Sequence, residues 1–400
     1  MDIEVLFSTV VAILALGSIV VAANYADLRR DPRLRQWVLG VLLVLNILLV
    51  MWYGLLPLAA EETDASRAET LGSFVLALAF GGMATAFLAE PVRARLAGWS
   101  LLRRGPAPAG PPPAAARFPE PQPGEPLFPQ MLNYYTTATA RQAGSVEGVD
   151  ARPAAGDTGA RGFDPRSMVH AVALVFCIYL LGTQFITFVL GGGLEGVAEG
   201  FAEGLTAWDL ILNGLPLVII PVLGVGLGIR RNFRQVLARL GLRQMTLREL
   251  GVAAGMTVAL LILVSIVGST WQLLVPPETF EEQTRASEAL AESVTTIWLA
   301  LVLAASAAIS EEIAFRGALQ PVFGFWPTAI IFALTHMQYA LTPATLIILG
   351  VAIAFGWIRV RYSTTVAIVT HFLYNFIPLA ANVAIGTEAL RWLQNLGLFR

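Results

Sequence analysis

The chain has 400 residues, of which 56% are hydrophobic and 14% are charged, and its formal net charge is −2. Soluble chains average about 25% charged residues, so this composition excludes an ordinary soluble protein and indicates a helical membrane protein with several spans. The near-neutral charge does not favour nucleic-acid binding. The single cysteine, Cys177, excludes an internal disulfide and a zinc site built from cysteines.

Ten apolar runs predict ten transmembrane helices, three before a long break and seven after it. In chain order the predicted spans are 3–23, 37–56, 71–88, 168–191, 209–229, 250–274, 295–315, 327–339, 345–358 and 364–385. The spans at 327–339 and 345–358 are shorter than the roughly 20 residues that a simple crossing needs. The predicted fold class is an all-α polytopic membrane protein, with a seven-helix core and an N-terminal three-helix extension.

These runs divide the chain into four parts. Residues 1–92 are predicted to form a three-span membrane module, and residues 167–387 the intramembrane core. Between them, residues 93–166 are rich in proline, alanine and glycine, which is typical of an extended or disordered linker. Residues 388–400 predict a short amphipathic tail. We expect the first module to be a flexibly tethered accessory unit that recruits a substrate or a partner.

Arginine placement predicts the orientation of the spans. The connections 24–36, 91–167, 230–249 and 359–363 hold most of the arginines, whereas the alternating connections are acidic. By the positive-inside rule, the basic loops and the linker lie in the cytoplasm and both termini lie outside. All 26 basic residues are arginine, which is typical of a GC-rich bacterial genome. We therefore expect a multi-pass protein of a bacterial cell membrane.

The seventh predicted span carries three charged residues close together. Glu311, Glu312 and Arg316 lie in or directly beside the apolar run 295–315. A charge near the centre of a bilayer costs at least ~2.5–3.5 kcal/mol on insertion scales, so charged residues at this depth mark a functional site by default. Two later apolar runs carry one histidine each, and the chain has only three histidines in all.

The polar groups of these runs share one depth in the membrane. Glu311 lies nine residues before Gln320, where Pro321 can turn the chain. His336 and His371 lie nine and eight residues after the predicted starts of their helices. At about 1.5 Å per residue, all three side chains lie roughly 12–14 Å from the cytoplasmic face. Three separate segments thus deliver polar groups to one level.

Helix geometry assigns the two glutamates to different faces. Glu312 and Arg316 are four residues apart, which is the spacing of a helical ion pair. Glu311 is turned about 100° away from Glu312 and is therefore free to face the histidines. Two further pairs have the same four-residue spacing: Phe332 with His336, and His371 with Asn375.

This set of side chains supports two kinds of hydrolysis, which the sequence does not separate. A glutamate beside a histidine can act as a general base toward water, and histidine and asparagine can donate hydrogen bonds to an oxyanion. Together they would hydrolyse a peptide or an ester without a metal. Alternatively, Glu311, His336 and His371 would hold a divalent metal such as zinc, because two histidines and a glutamate are a known zinc ligand set.

The three motifs together resemble those of a known family. They are Glu311-Glu312-x-x-x-Arg316, Phe332-x-x-x-His336 and His371-x-x-x-Asn375. Their order, spacing and placement are similar to those of the CPBP family, the CAAX-protease and bacteriocin-processing (Abi) intramembrane proteases, which includes the type II CAAX prenyl endopeptidase. The resemblance covers about residues 168–385 and leaves out the first three spans and the linker.

The resemblance implies three roles for the motif residues: activation of water, stabilisation of the oxyanion and ordering of the site. In that order, the residues are Glu311 with His336, His371 with Asn375, and Glu312 with Arg316 and Phe332. The family has often been labelled metalloprotease, while a metal-free glutamate mechanism is also argued for it. The cofactor therefore stays open between a divalent metal such as zinc and none.

The expected function is hydrolysis of a peptide bond in a membrane-associated protein or peptide at the lipid bilayer. The alternative is a non-catalytic membrane protein of the same fold, either a scaffold or a bacteriocin-immunity-type protein. The complete set of Glu311, His336, His371 and Asn375 favours the enzyme, since a binding protein would not need all four at one level. Substitution of Glu311 separates the two, because only the enzyme would lose its cellular role.

Overall fold

The structure is a computed structural model, and it describes residues 3–55, 66–98, 162–340 and 342–386. Within these ranges the regular secondary structure is helical, which confirms the predicted all-α polytopic class. The predicted amphipathic tail at 388–400 and most of the predicted linker lie outside the described residues.

The helices are numbered here in chain order. The first part contains α1 Ile3–Arg29, α2 Pro32–Val50, α3 Arg67–Ala86 and α4 Glu90–Ala97. The second part contains α5 Met168–Leu190, α6 Gly193–Ala202, α7 Ala207–Gly224, α8 Phe233–Leu240, α9 Leu247–Leu274, α10 Pro277–Ser293, α11 Ile297–Glu311, α12 Phe325–Leu334, α13 Pro343–Arg361 and α14 Thr364–Ile385. Two helices continue in π geometry, α2 through Met51–Leu55 and α11 through Glu312–Leu319, and the latter ends in an α-helical turn at Gln320–Phe323.

Nine helices in the described ranges are long and apolar enough to cross a membrane, and they correspond to nine of the ten predicted spans. The predicted span 345–358 is part of the 19-residue helix α13. The predicted span 327–339 differs, because α12 has only 10 residues. At about 1.5 Å per residue, α12 covers roughly half of a ~30 Å hydrocarbon core. The eighth segment is therefore a half-length helix, and its prediction as a full crossing is corrected.

Local hydrogen bonds explain why α12 stops early. The Thr335 hydroxyl donates to the Phe332 carbonyl at 2.7 Å, and His336 Nδ1 lies 2.8 Å from the same oxygen. Side chains that bond to a backbone carbonyl in this way compete with continuation of the helix. The chain then makes a 3₁₀ turn at Met337–Tyr339, and α13 begins at Pro343.

Polar caps fix where several long helices begin. Thr206 with Asp209, and Thr246 with Glu249, form capping boxes at the starts of α7 and α9. Ser363 caps α14 through a bond from Val366 N. Such caps stabilise a helix by about 1 kcal/mol each, and they set the starting level of the helix that follows.

The first three spans pack directly against the second part of the chain. Their buried side chains share one apolar cluster with α5, for example Ile19, Leu42 and Val172. Asn24 Nδ2 on α1 donates to the Leu223 carbonyl of α7 at 3.1 Å. This packing contradicts the expectation of a flexibly tethered unit, because a buried apolar cluster and interhelical hydrogen bonds hold the two parts together.

A carboxylate of α1 also caps the first helix of the second part. Asp27 Oδ1 accepts from Met168 N at 2.7 Å, and Asp27 Oδ2 accepts from the Ser167 hydroxyl at 2.6 Å. An acidic side chain at a helix start pairs with N–H groups that have no partner within the helix. The start of α5 is therefore completed by a residue of α1.

The near end of the predicted linker is also packed. Arg93 lies on α4 and is only 1% exposed. Its guanidinium donates to the carbonyls of Phe87, Leu88 and Pro165 at 2.8, 2.7 and 2.9 Å. Burial lowers the pKa of Arg93, but the three carbonyls pair with three of its five N–H donors. The boundary predicted at residue 92 therefore falls inside a helix that belongs to the packed part.

Candidate active site

The charged motif lies where α11 changes from α to π geometry. Glu311 is the last residue of the α-helical part, and Glu312 is the first residue of the π-helical part. A π segment shifts the backbone hydrogen bonds from i−4 to i−5, and such segments occur frequently at functional sites. Helix spacing predicted different faces for the adjacent glutamates, but it did not predict the π geometry.

Glu312 is the centre of a fully buried polar cluster. Its side chain is 0% exposed, and that of Arg316 is 1% exposed. Arg316 Nη1 lies 3.1 Å from Glu312 Oε1, which agrees with the predicted ion pair. His371 Nδ1 lies 3.0 Å from the same carboxylate oxygen. The carboxylate thus joins α11 to α14, and the charge of Arg316 compensates its burial.

Aromatic rings surround this cluster. The Arg316 Cζ atom lies 4.0 Å from the centre of the Phe332 ring and 5.4 Å from that of Phe355. The Phe355 ring also stacks on the His371 ring, with centroids 4.7 Å apart. A desolvated guanidinium over ring faces is stabilised by about 2 kcal/mol. Phe332 was expected from its spacing to His336, whereas nothing in the sequence distinguishes Phe355 from the other phenylalanines.

Glu311 and His336 form a second, more open pair. Glu311 Oε2 lies 3.8 Å from His336 Nε2, and the two side chains are 21% and 18% exposed. Glu311 was expected to face both histidines, but His371 bonds to Glu312 instead. The roughly 100° between adjacent helical residues explains the difference, because each carboxylate meets a different helix.

The hydrogen bond of the other ring nitrogen assigns the tautomer of neutral His336. His336 Nδ1 lies 2.8 Å from the Phe332 carbonyl, which can only accept. Nδ1 therefore carries the proton, and Nε2 presents its lone pair toward Glu311. Two acceptors face each other, and Glu311 Oε2 has no hydrogen-bond donor among the described residues. A group with two N–H or O–H donors fits between them.

His336 lies in irregular backbone two residues beyond the end of α12, whereas the predicted span 327–339 placed it within a helix. Ala340 in the same segment has φ of +47°, which is unusual for a residue other than glycine. Irregular backbone at membrane depth occurs only where it is buried in protein or lines a water-filled cavity. The Tyr339 ring lies nearly parallel to the His336 ring, with centroids 6.4 Å apart.

Asn375, the last predicted site residue, lies on α14 one turn beyond His371. It is partly buried. Hydrogen bonds in the described ranges engage Glu312, His336 and His371, and none engages the Asn375 amide. Its amide therefore keeps its donors for a ligand or for water.

The predicted metal ligands do not converge in this arrangement. Among the described residues, no three side chains of histidine, cysteine, aspartate or glutamate are grouped so that they could hold a metal ion. His371 turns its Nδ1 to Glu312, while His336 turns its Nε2 to Glu311. We therefore derive no step through a metal.

The segment that carries these motif residues matches the model of a known family. Residues 293–377 match the family model described as Rce1-like: Type II CAAX prenyl endopeptidase Rce1-like. This segment is similar to the type II CAAX prenyl endopeptidases of the CPBP family. The matched CPBP segment includes every motif residue from Glu311 to Asn375. It indicates a CAAX-protease-type membrane protein, in agreement with the nine long apolar helices of the described ranges.

The CPBP match covers a limited part of the chain. It begins at the last residue of α10 and ends within α14, so α1–α9 lie outside it. No curated protein and no solved structure matches the chain.

Proposed function

We propose that this protein is an intramembrane endopeptidase that hydrolyses a peptide bond of a membrane-associated protein or peptide. The observation that carries the proposal is the pair of Glu311 and His336, two acceptors 3.8 Å apart in the partly exposed side of a CPBP site. The buried cluster of Glu312, Arg316 and His371 lies beside it on the same helices.

The pair suits a water molecule that donates to both side chains. Two hydrogen bonds of about 2.8 Å at a tetrahedral angle need roughly 4.5 Å between the acceptors, so a shift of under 1 Å admits the water. Because both protons of the water then point at Glu311 and His336, its lone pairs point away from them. The oxygen is thereby oriented as a nucleophile toward a substrate carbonyl.

The reaction balances without a further reactant. The water oxygen bonds to the carbonyl carbon while Glu311 takes one water proton, and the carbonyl oxygen becomes an oxyanion. The C–N bond then breaks, and the proton passes from Glu311 to the leaving amine. The water thus adds across the peptide bond, and Glu311 returns to its carboxylate form.

His371 and Asn375 are our candidates for oxyanion stabilisation. Glu312 engages Nδ1 of His371 at 3.0 Å, so Nε2 is the ring nitrogen left for the substrate. From Nε2, His371 would donate a hydrogen bond to the oxyanion. The Asn375 amide would supply a second donor, and donors aimed at developing charge are commonly the largest catalytic contribution.

Orientation and location form part of the proposal. The arginine-rich connections would face the cytoplasm of a bacterial cell membrane, according to the positive-inside rule. The substrate would then reach the Glu311 level from the bilayer or from a membrane-bound segment.

A comparison of new protein N-termini tests the proposal. Membranes from cells with the native chain are compared with membranes from cells with Glu311→Gln, which keeps the side-chain shape and removes the base. Glu281→Gln serves as the control, because Glu281 is an exposed carboxylate on α10. We expect fragments that appear with the native chain and the control but not with Glu311→Gln. The same fragments in all three samples, at matched protein levels, would refute proteolysis by this site.

A further inference from the structure

The helix that carries Glu311, Glu312 and Arg316 is called the motif helix below. Near its end, Pro321 interrupts the series of backbone hydrogen bonds. Pro321 has no N–H group. In an α-helix, residue 321 would donate to the Gly317 carbonyl, and in a π-helix it would donate to the Arg316 carbonyl. The residues before Pro321 are π-helical. The helix returns to α geometry at Gln320, so residue 321 is the donor position for one or the other of these carbonyls, and proline leaves that position without an N–H.

Two arginines from other segments supply the donors. Arg359 Nε on α13 donates to the Arg316 carbonyl at 3.2 Å. Arg239 Nη1 on α8 donates to the Gly317 carbonyl at 3.1 Å. A backbone carbonyl at membrane depth needs a partner, and a charged donor makes a stronger hydrogen bond than a neutral one. The two arginines thus donate to both carbonyls that residue 321 could have served.

The connection after α8 holds these arginines together. Gly241 has φ of +74°, and a side chain there would place its Cβ 2.6 Å from the Arg359 guanidinium carbon. The Gly241 carbonyl also accepts from Thr364 N at 3.1 Å, at the start of α14. The helix of Glu311, the helix of His371 and the end of α13 therefore meet at one junction.

We propose that Arg239 and Arg359 are positioning residues that fix the π register of the motif helix and, through it, the place of the Glu312–Arg316 pair. Each residue added to or removed from the π segment turns everything beyond it by about 100°. Arg316 would then leave the Phe332 and Phe355 rings, and Glu312 would lose the partner that compensates its burial. The catalytic part of this inference rests on the proposed endopeptidase function, whereas the register itself does not.

The test uses the full chain in lipid nanodiscs and two readouts. The first is amide hydrogen exchange of the peptide covering residues 312–323. The second is kcat and KM on a peptide found in the comparison of N-termini. Arg359→Gln should raise exchange in this peptide and lower kcat about tenfold with little change in KM, as expected from loss of one charge-assisted hydrogen bond. Arg361→Gln is the control, because Arg361 is exposed on the same helix.

A second substitution distinguishes register control from general stability. Pro321→Ala restores one N–H, which can donate to the Arg316 carbonyl when Arg359 is replaced, so the double variant Pro321→Ala with Arg359→Gln should recover most of the protection and most of kcat. Gly241→Ala should reproduce Arg359→Gln by displacing the guanidinium. Gly251→Ala is its control, since no atom lies within 4 Å of the added Cβ.

The outcomes distinguish control of the π register from a positioning role in catalysis. Unchanged exchange in Arg359→Gln, or a double variant no better than Arg359→Gln, would overturn the register proposal. Altered exchange with unchanged kcat would overturn the positioning role. If the native chain shows no cleavage that depends on Glu311, the proposed function fails, and exchange alone still decides whether the arginines hold the register.

Discussion

At the scale of single residues, the two adjacent glutamates have unlike surroundings. Glu312 is fully buried between Arg316 and His371, whereas Glu311 is partly exposed beside His336. A buried carboxylate with two partners is fixed in place, and a partly exposed one can exchange protons with water. Two adjacent residues thus have different proposed roles: Glu312 is a structural charge, and Glu311 is the candidate base.

Phe355 provides a residue-level prediction. Phe355→Leu keeps an apolar side chain but removes the ring face against Arg316 and His371. We expect kcat to fall about five- to thirtyfold, because a desolvated cation–π contact is worth about 1–2 kcal/mol. Steady-state kinetics on the identified substrate measure this effect. Phe372→Leu is the control, since Phe372 stacks on Phe376 of its own helix, and an equal loss in the control would contradict the role of Phe355.

At the scale of elements, the half-length helix α12 places His336 at the level of Glu311. The helix starts after a sharp turn at Gly324 and ends where Thr335 and His336 bond back to the Phe332 carbonyl. The histidine therefore lies on irregular backbone at membrane depth. The start and the end of α12 therefore set the position of the His336 imidazole relative to the Glu311 carboxylate.

Gly324 provides the element-level prediction. Its φ of +88° and ψ of 175° belong to a region that is essentially restricted to glycine. Gly324→Ala should lower the free energy of unfolding by about 1–3 kcal/mol and should weaken activity by moving α12. Thermal melting in detergent and kcat measure both effects. Gly268→Ala, in the middle of α9 with no atom within 4 Å of the added Cβ, should melt at or above the native temperature, and equal melting of both variants would contradict this account of the turn.

At the scale of the whole chain, the first three spans are built into the described part of the protein. Asn24 and Asp27 bond to α7 and to the start of α5, and the apolar cluster of α1, α2, α3 and α5 is shared. The first spans therefore support the helices that flank the site, which is a different role from that of a tethered recruitment unit.

A cut within the linker tests this packing. A protease site inserted between residues 106 and 161 allows the chain to be cleaved in the membrane, with an affinity tag on the second part. We expect the first part to remain bound in mild detergent, because its buried contacts persist after the cut. Asp27→Ala should weaken the association by removing the cap of α5, which is worth about 1 kcal/mol. Complete separation of the two parts of the native chain would favour the tethered arrangement.

The features that could be predicted from the sequence are those that depend on local pattern. Apolar run length gives the spans, and four-residue spacing gives the Glu312–Arg316 pair and the contact of Phe332 with His336. Counting residues from the helix ends placed Glu311 and His336 at one level, and the structure brings them together.

The remaining features depend on tertiary contacts that have no sequence pattern. His371 contacts Glu312 because of how α14 packs on α11. The stacking of the Phe355 ring on His371 depends on the position of α13. The π segment was not predicted, because spacing rules assume a uniform helix. The packing of the first spans depends on long-range contacts across a segment whose composition resembles a linker.

The most direct test of the central claim compares Glu311→Gln with Glu312→Gln in liposomes, with the substrate from the comparison of N-termini. Glu311→Gln should lower kcat by about 10²–10⁴-fold and leave the melting temperature unchanged, because it removes a general base from a partly exposed position. Glu312→Gln should lower the free energy of unfolding by about 3–5 kcal/mol, because it leaves the Arg316 charge buried without its partner. Full activity of Glu311→Gln, or a melting temperature that falls equally in both variants, would contradict the division of roles between the two glutamates.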